Sequence, residues 1–141
     1  MERLIRILKE GNHSLVVGGA EVHTYDGRGV SDLFRLSTED EAVLHGARIA
    51  DKVVGKGAAS IMALSGVREV YADVISAPAL EMLQEAGIET TYGRLVPYIV
   101  NREGTGMCPL EKRCMESTSP VQAYANVILF MKEMKKMRKA V

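Results

Sequence analysis

Met1, Leu4, Ile5 and Leu8 recur at three- and four-residue intervals, which gives a short opening helix one apolar face, and Gly11-Asn12 supplies its stop. Residues 14–17 form an apolar, β-branched run. Gly18-Gly19 then turns the chain into residues 20–25, where Ala20, Val22 and Thr24 alternate with polar neighbours, the pattern of a hairpin. Asp26-Gly27-Arg28-Gly29 is a second turn, and Ser31-Asp32 is placed to cap a short helix through Leu36. Thr38-x-x-Glu41 has capping-box spacing and predicts a further helical turn over residues 42–45.

Ala50, Val53, Val54, Gly57, Ala58, Ile61 and Met62 fall at helical spacing and predict a helix over 50–62, with Asp51 placed to cap or begin it. Gly55, Gly57, Ala58 and Ala59 lie in its middle, although a mid-helix glycine costs about 1 kcal/mol against alanine. Small side chains admit another backbone, so this helix is expected tight against a sheet. Gly66 ends it, and residues 67–75 read as a mostly buried strand. Ser76-Ala77-Pro78 opens a helix that turns Leu80, Met82 and Leu83 inward until Gly87. Residues 88–91 and 95–100 read as two more strands, with Pro97 making the second an edge strand or an irregular one. A helical turn follows from Pro109, and Pro120 opens a terminal helix with Tyr124, Val127, Ile128 and Met131 on one face.

Helices alternating with strands imply parallel pairing, and the hairpin adds an antiparallel edge. The expected fold is an α/β three-layer α/β/α sandwich with a mixed sheet of about five strands. With no internal repeat and no low-complexity linker, residues 1–141 form a single domain.

Charge and composition narrow the function. Eighteen basic and eighteen acidic residues cancel, and two Phe with no Trp leave little to stack on bases, which argues against nucleic acid. The chain lacks an apolar run of membrane-spanning length and its start lacks a signal peptide's apolar region, so no membrane association is expected. Two cysteines are too few for a disulfide framework and point to a reduced, cytoplasmic setting.

Cys108-Pro109 is the sharpest local feature. A cysteine just before a helix start faces unpaired N–H groups and the positive dipole end, which favour thiolate. The preceding Asn101-Arg102-x-Gly104-Thr105-Gly106 loop has amides that can cradle an anion, although the ordinary reading is a surface loop with an incidental cysteine. Cys114 is too far on to form a C-x-x-C pair. Gly55-Lys56-Gly57 fails as a phosphate loop, because Ala50 and Gly57 stand where Gly and Ser or Thr are required. Lys52 and Lys56, four apart on the expected helix, either are solvated or share an anionic ligand. Arg28 either belongs to an ordinary turn or clamps a phosphate or carboxylate. His13, His23 and His45 lack metal-ligand spacing, so no metal and no cofactor is expected. Lys132, Lys135, Lys136, Arg138 and Lys139 complement the dipole of the last helix, while Met131, Met134 and Met137 suit packing or contacts in a homo-oligomer.

Several strings occur in a fixed order. They are Tyr25-Asp26-Gly27-Arg28-Gly29-Val30, Ala50-Asp51-Lys52-Val53-Val54-Gly55-Lys56, Val74-Ile75-Ser76 with Pro78-Ala79-Leu80, Leu95-Val96-Pro97-Tyr98-Ile99, and the 101–109 segment. Together, over about residues 13–116, they resemble a small prokaryotic family of unknown function with a cytidine-deaminase-like fold. The parent deaminases hold zinc through an H-x-E or C-x-E motif and a P-C-x-x-C motif at two helix starts. Pro78 matches the second motif's proline, but Ala79 and Met82 stand at its cysteine positions, and the first motif would fall near Asp51-Lys52-Val53 without His or Cys. The resemblance therefore implies the sandwich and its pocket without the zinc hydrolase chemistry.

The leading expectation is a nucleotide or other phosphate-bearing ligand in a cleft between helix N-termini near Asp51 and Ser76. Arg28, Lys52, Lys56, Asn101, Thr105 and Cys108 would rim it. The alternatives are an enzyme using Cys108 as a redox or nucleophilic thiol, and a non-catalytic oligomeric regulatory module.

Overall fold

The structure, a computed structural model, describes residues 1–140 apart from the side chains of residues 139 and 140, so the side chain of Lys139 lies outside the described residues. The chain runs α1 (Glu2–Glu10), β1 (Leu15–Gly18), β2 (Val22–Tyr25), α2 (Ser31–Glu39), α3 (Glu41–Leu44), β3 (Arg48–Val54) and α4 (Lys56–Leu64). It continues with β4 (Glu69–Ser76), α5 (Ala77–Glu85), β5 (Glu89–Val96), α6 (Pro109–Cys114) and α7 (Pro120–Ala140). The five strands form one mixed sheet in the order β2-β1-β3-β4-β5. The hairpin strand β1 pairs antiparallel with both β2 and β3, whereas β3, β4 and β5 are parallel. Helices lie on both faces, as the sequence pattern requires.

One face packs Leu4 and Leu8 of α1 on Val16, Ala50 and Tyr71. The other carries the main core, where Val17, Ile49, Val70 and Ala72 of the sheet meet Ala59, Ile61 and Met62 of α4 and Ala79 and Leu83 of α5. α7 adds Ala123 and Val127 to that core, with Tyr124 and Met131 packed against it. α1 is the lesser cover, and Thr91, Gly93 and Leu95, alternate residues of the edge strand β5, are exposed.

Several local expectations are corrected. The stretch read as one helix over 50–62 is a strand and a helix, β3 and α4, joined at Gly55. Asp51 is therefore a mid-strand residue and caps nothing. A strand buried on both faces loses the two-residue alternation, and a run of apolar residues then satisfies either period. Gly57 faces α6 and α7 and not the sheet, since a Cβ there would lie 3.0 Å from Leu110 and 3.1 Å from Val127. Residues 89–96 form one edge strand with Pro97 just beyond it, and Val100 makes only an isolated bridge to Met107. The capping box does not form, because the Thr38 hydroxyl donates back to the Arg35 carbonyl. Nor do Ser31 and Asp32 cap α2. Their side chains hold the preceding turn, Asp32 Oδ2 accepting from the Gly27 N–H at 2.7 Å and the Ser31 hydroxyl donating to the Arg28 carbonyl.

Candidate functional site

Because β3 and β4 are parallel neighbours, α4 and α5 begin side by side at one end of the sheet. At each helix start one N–H has a side-chain acceptor from within the chain. Ser76 caps α5, its buried hydroxyl oxygen accepting from the Ala79 N–H. The Glu111 carboxylate, 2% exposed, lies across the start of α4 and accepts from the Lys56 N–H at 2.8 Å and the Ile99 N–H at 2.9 Å. Lys56 is also buried, and its ammonium donates to the carbonyls of Met115 and Ser117 at the far end of α6. Glu111 thus occupies the start of α4, and Lys56 and Ser76 are inward-facing groups with partners. Lys56 is not paired with Lys52, because Lys52 is a strand residue on another surface. Sequence reading missed Glu111 altogether, since nothing local distinguishes it from the charged residues around it.

Open space lies instead over Asp51, Lys52 and Val53 of β3. Leu15, Asp51 and Ala72 form one row across β1, β3 and β4, and Leu15 and Ala72 belong to the main core. Asp51 therefore carries a carboxyl into apolar surroundings. It is only 9% exposed, and burial pushes its pKa up to about 7, against the lowering effect of the Val53 and Lys52 backbone N–H groups. Its carboxyl accepts from the Val53 N–H over a long 3.3 Å contact, with the Lys52 backbone N–H also facing it. A cleft of about 320 Å³ opens over it, walled by Ser14 and Val53 on the sheet side and by Asp26, Gly27 and Gly29 on the other.

Three features shape that cleft. The 26–29 turn is held by Asp32, and Asp26 is paired with the His13 ring at 2.7 Å. Arg28 sits between two cleft-lining glycines with its side chain exposed. Asn12 closes the third side. It follows α1 in the left-handed conformation, φ 51°, while the N–H groups of Asn12 and His13 bond the carbonyls of Lys9 and Leu8. That geometry aims its side-chain carbonyl at the Lys52 ammonium, 2.9 Å away.

The structure therefore brings Asp51 and Lys52 to the cleft, with Arg28 in the turn beside it, and leaves the other expected residues elsewhere. Asn101 and Thr105 hydrogen-bond each other within their loop, the Asn101 carbonyl accepting from the Thr105 N–H at 3.0 Å. Cys108 precedes α6, half-buried against the core, with its N–H donated to the Ile99 carbonyl. Cys114 is buried, and its thiol is pushed up to about 11 by burial. Among the described residues no group of three His, Cys, Asp or Glu side chains is arranged to hold a metal ion, and no helix is long and apolar enough to cross a membrane.

No curated relative matches the chain. A crystal structure of a DUF1893 family protein (TM1506) from Thermotoga maritima matches with a TM-score of 0.82 and 28% identity, over 91% of this chain and 90% of that one. A remoter match, with a TM-score of 0.38 and 19% identity, is a diaminohydroxyphosphoribosylaminopyrimidine deaminase/5-amino-6-(5-phosphoribosylamino)uracil reductase from the same organism, over 79% of this chain and 39% of that one. The family model described as a domain of unknown function (DUF1893) matches residues 3–131. With a family match over most of its length and a crystal structure of one member sharing the fold over about nine-tenths of both chains, the chain belongs to the DUF1893 family.

Proposed function

We propose that the protein binds a small polar ligand of the nucleotide or phosphate-bearing class in the cleft over Asp51. The observation that carries this reading is the Asp51 carboxyl itself, nine-tenths buried at the floor of an open cleft and met, among the described residues, only by the backbone N–H groups of Val53 and Lys52. A buried carboxylate short of donors is costly to the folded chain unless something else supplies them. The amino and ring N–H groups of a nucleobase are donors of that kind, and Lys52 and Arg28 stand at the rim to balance an anionic tail. Such arrangements of a few converging polar groups in a concavity are the common form of small-molecule sites.

The test is thermal unfolding against a panel of nucleosides and nucleotides at pH 8, where Asp51 is mostly ionised. A ligand that binds the folded chain raises Tm in a saturable way. Wild type is expected to respond to at least one compound, and Asp51→Asn is expected to lose that response. A flat response throughout the panel overturns the reading.

A further inference from the structure

β3 places two opposite charges back to back. Successive strand side chains point to opposite faces, so Asp51 enters the cleft described above while Lys52 reaches the α1 face. There a second cleft, about 390 Å³, runs from the end of α1 over β4 and β5. Asn12 and Lys52 line both clefts and form the divide between them. We propose that the second cleft receives the phosphate of the ligand, between the Lys9 and Lys52 ammonium groups. This rests on the reading of the Asp51 cleft and extends it by assigning the anionic end of the ligand to the α1 face.

Among the residues lining this cleft the charges are Lys9, Lys52 and Asp73. Asp73 is already engaged, accepting from the Tyr71 hydroxyl at 2.8 Å and lying 3.9 Å from the Lys9 ammonium. Lys9 also lies over the Tyr71 ring, 5.7 Å from its centre, which keeps the ammonium at the cleft wall. Lys52 bonds only the neutral Asn12 carbonyl and has no carboxylate within 4.0 Å among the described residues. The balance of two ammonium groups against one carboxylate leaves an excess positive charge that a phosphate completes. The end of α1 would ordinarily repel an anion. Its last carbonyls, those of Ile7, Leu8 and Lys9, are instead taken by the N–H groups of residues 11–13. Gly93 keeps the floor open, since a Cβ there would lie 2.8 Å from the Asp73 carbonyl and 3.4 Å from the Tyr71 hydroxyl.

The full chain, labelled with ¹⁵N, is titrated with inorganic phosphate at low ionic strength while the Gly93, Asn12 and Lys52 amide resonances are followed. Saturable shifts at those three positions are expected. Lys9→Met and Lys52→Met should each weaken phosphate binding roughly tenfold, as loss of a charged hydrogen bond does. Lys135→Met on α7 should leave it within about twofold, which excludes general attraction to basic residues. Shifts confined to the lysines of α7, or binding indifferent to Lys9→Met and Lys52→Met, overturn the proposal. The two readings fail separately. If nucleosides and their monophosphates stabilise the chain equally through Asp51, the phosphate cleft is wrong and the Asp51 cleft stands. If phosphate binds at Gly93 and no nucleotide responds to Asp51→Asn, the phosphate cleft stands and the Asp51 cleft is wrong.

Discussion

Lys56 and Glu111 serve each other's helices. The Glu111 carboxylate on α6 accepts the first N–H of α4, and the Lys56 ammonium on α4 donates to the Met115 and Ser117 carbonyls that end α6. Each charge supplies the sign that the partner helix's terminus calls for, negative at an N-terminus and positive at a C-terminus. Both are buried, so neither is replaceable by solvent. Removing one leaves backbone groups unpaired and the other charge uncompensated. Lys56→Met and Glu111→Leu should therefore each lower the unfolding free energy by about 2–4 kcal/mol in urea titrations. The double variant should lose less than the sum, because the second removal strands no charge. Additive losses would show that the two groups act independently.

Asp51 should make the protein less stable as pH rises. Its folded pKa, about 7, stands above the roughly 3.9 of an unfolded aspartate, so between those values the folded state binds the extra proton. Its contribution is fully present below about pH 4 and is lost as pH rises through 7. Asp51→Asn keeps the shape and removes the titration. It should flatten the stability profile across that window and gain on the order of 2–4 kcal/mol over wild type at pH 8. A variant profile parallel to wild type would show that the carboxyl ionises without cost.

The same proton should gate the cleft. A ligand that donates to Asp51 meets an acceptor only when the carboxyl is ionised, so affinity should rise with pH through about 7. Calorimetric titration of any nucleotide that stabilises the chain, at pH 6 and pH 8, checks the direction. Tighter binding at pH 6 would reverse the assignment of donor and acceptor.

The two thiols should differ sharply. With its pKa near 11, Cys114 presents roughly one thiolate in ten thousand at pH 7 and is buried besides, whereas Cys108 is half-buried. Iodoacetamide followed by peptide mass analysis should show Cys108 modified first and Cys114 only under conditions that open the fold. Equal rates would mean that α6 detaches readily from the core.

Asn12→Gly separates folding from binding. Glycine adopts the left-handed conformation at 12 more easily than asparagine, so the α1 stop survives while the carbonyl facing Lys52 is lost. Unfolding free energy should change by less than about 1 kcal/mol. Ligand response should fall, because Lys52 is no longer held on the divide between the clefts.

Much of this architecture was legible one segment at a time. Gly11-Asn12 stops α1, Ser76 caps α5, and Pro109 and Pro120 open α6 and α7, because each depends on dihedral preference or on a partner within a few residues, whereas the hairpin turns through residues 19–21, with Gly18 still paired to Val22. The segment from Ile49 to Met62 was not legible, because Ile49 and Ala50 are buried on opposite faces of β3 and the apolar Val53 is exposed, which leaves no alternation to distinguish the strand from a helix face. Misplacing that one boundary moved Asp51 from a strand to a helix start and put Lys52 beside Lys56.

By itself the sequence determined the α/β class, the mixed sheet and the membership in the family, since local preferences and ordered motifs are properties of the string, but not the strand β3. Tertiary structure alone decided where a ligand has room. Glu111 reaches the start of α4 from fifty-five residues along the chain. Asp51 is buried because β1 and β4 place Leu15 and Ala72 on either side of it, and Asn12 meets Lys52 across forty residues. Burial and electrostatic pairing depend on distance in space, and chain order specifies that only after the sheet has closed.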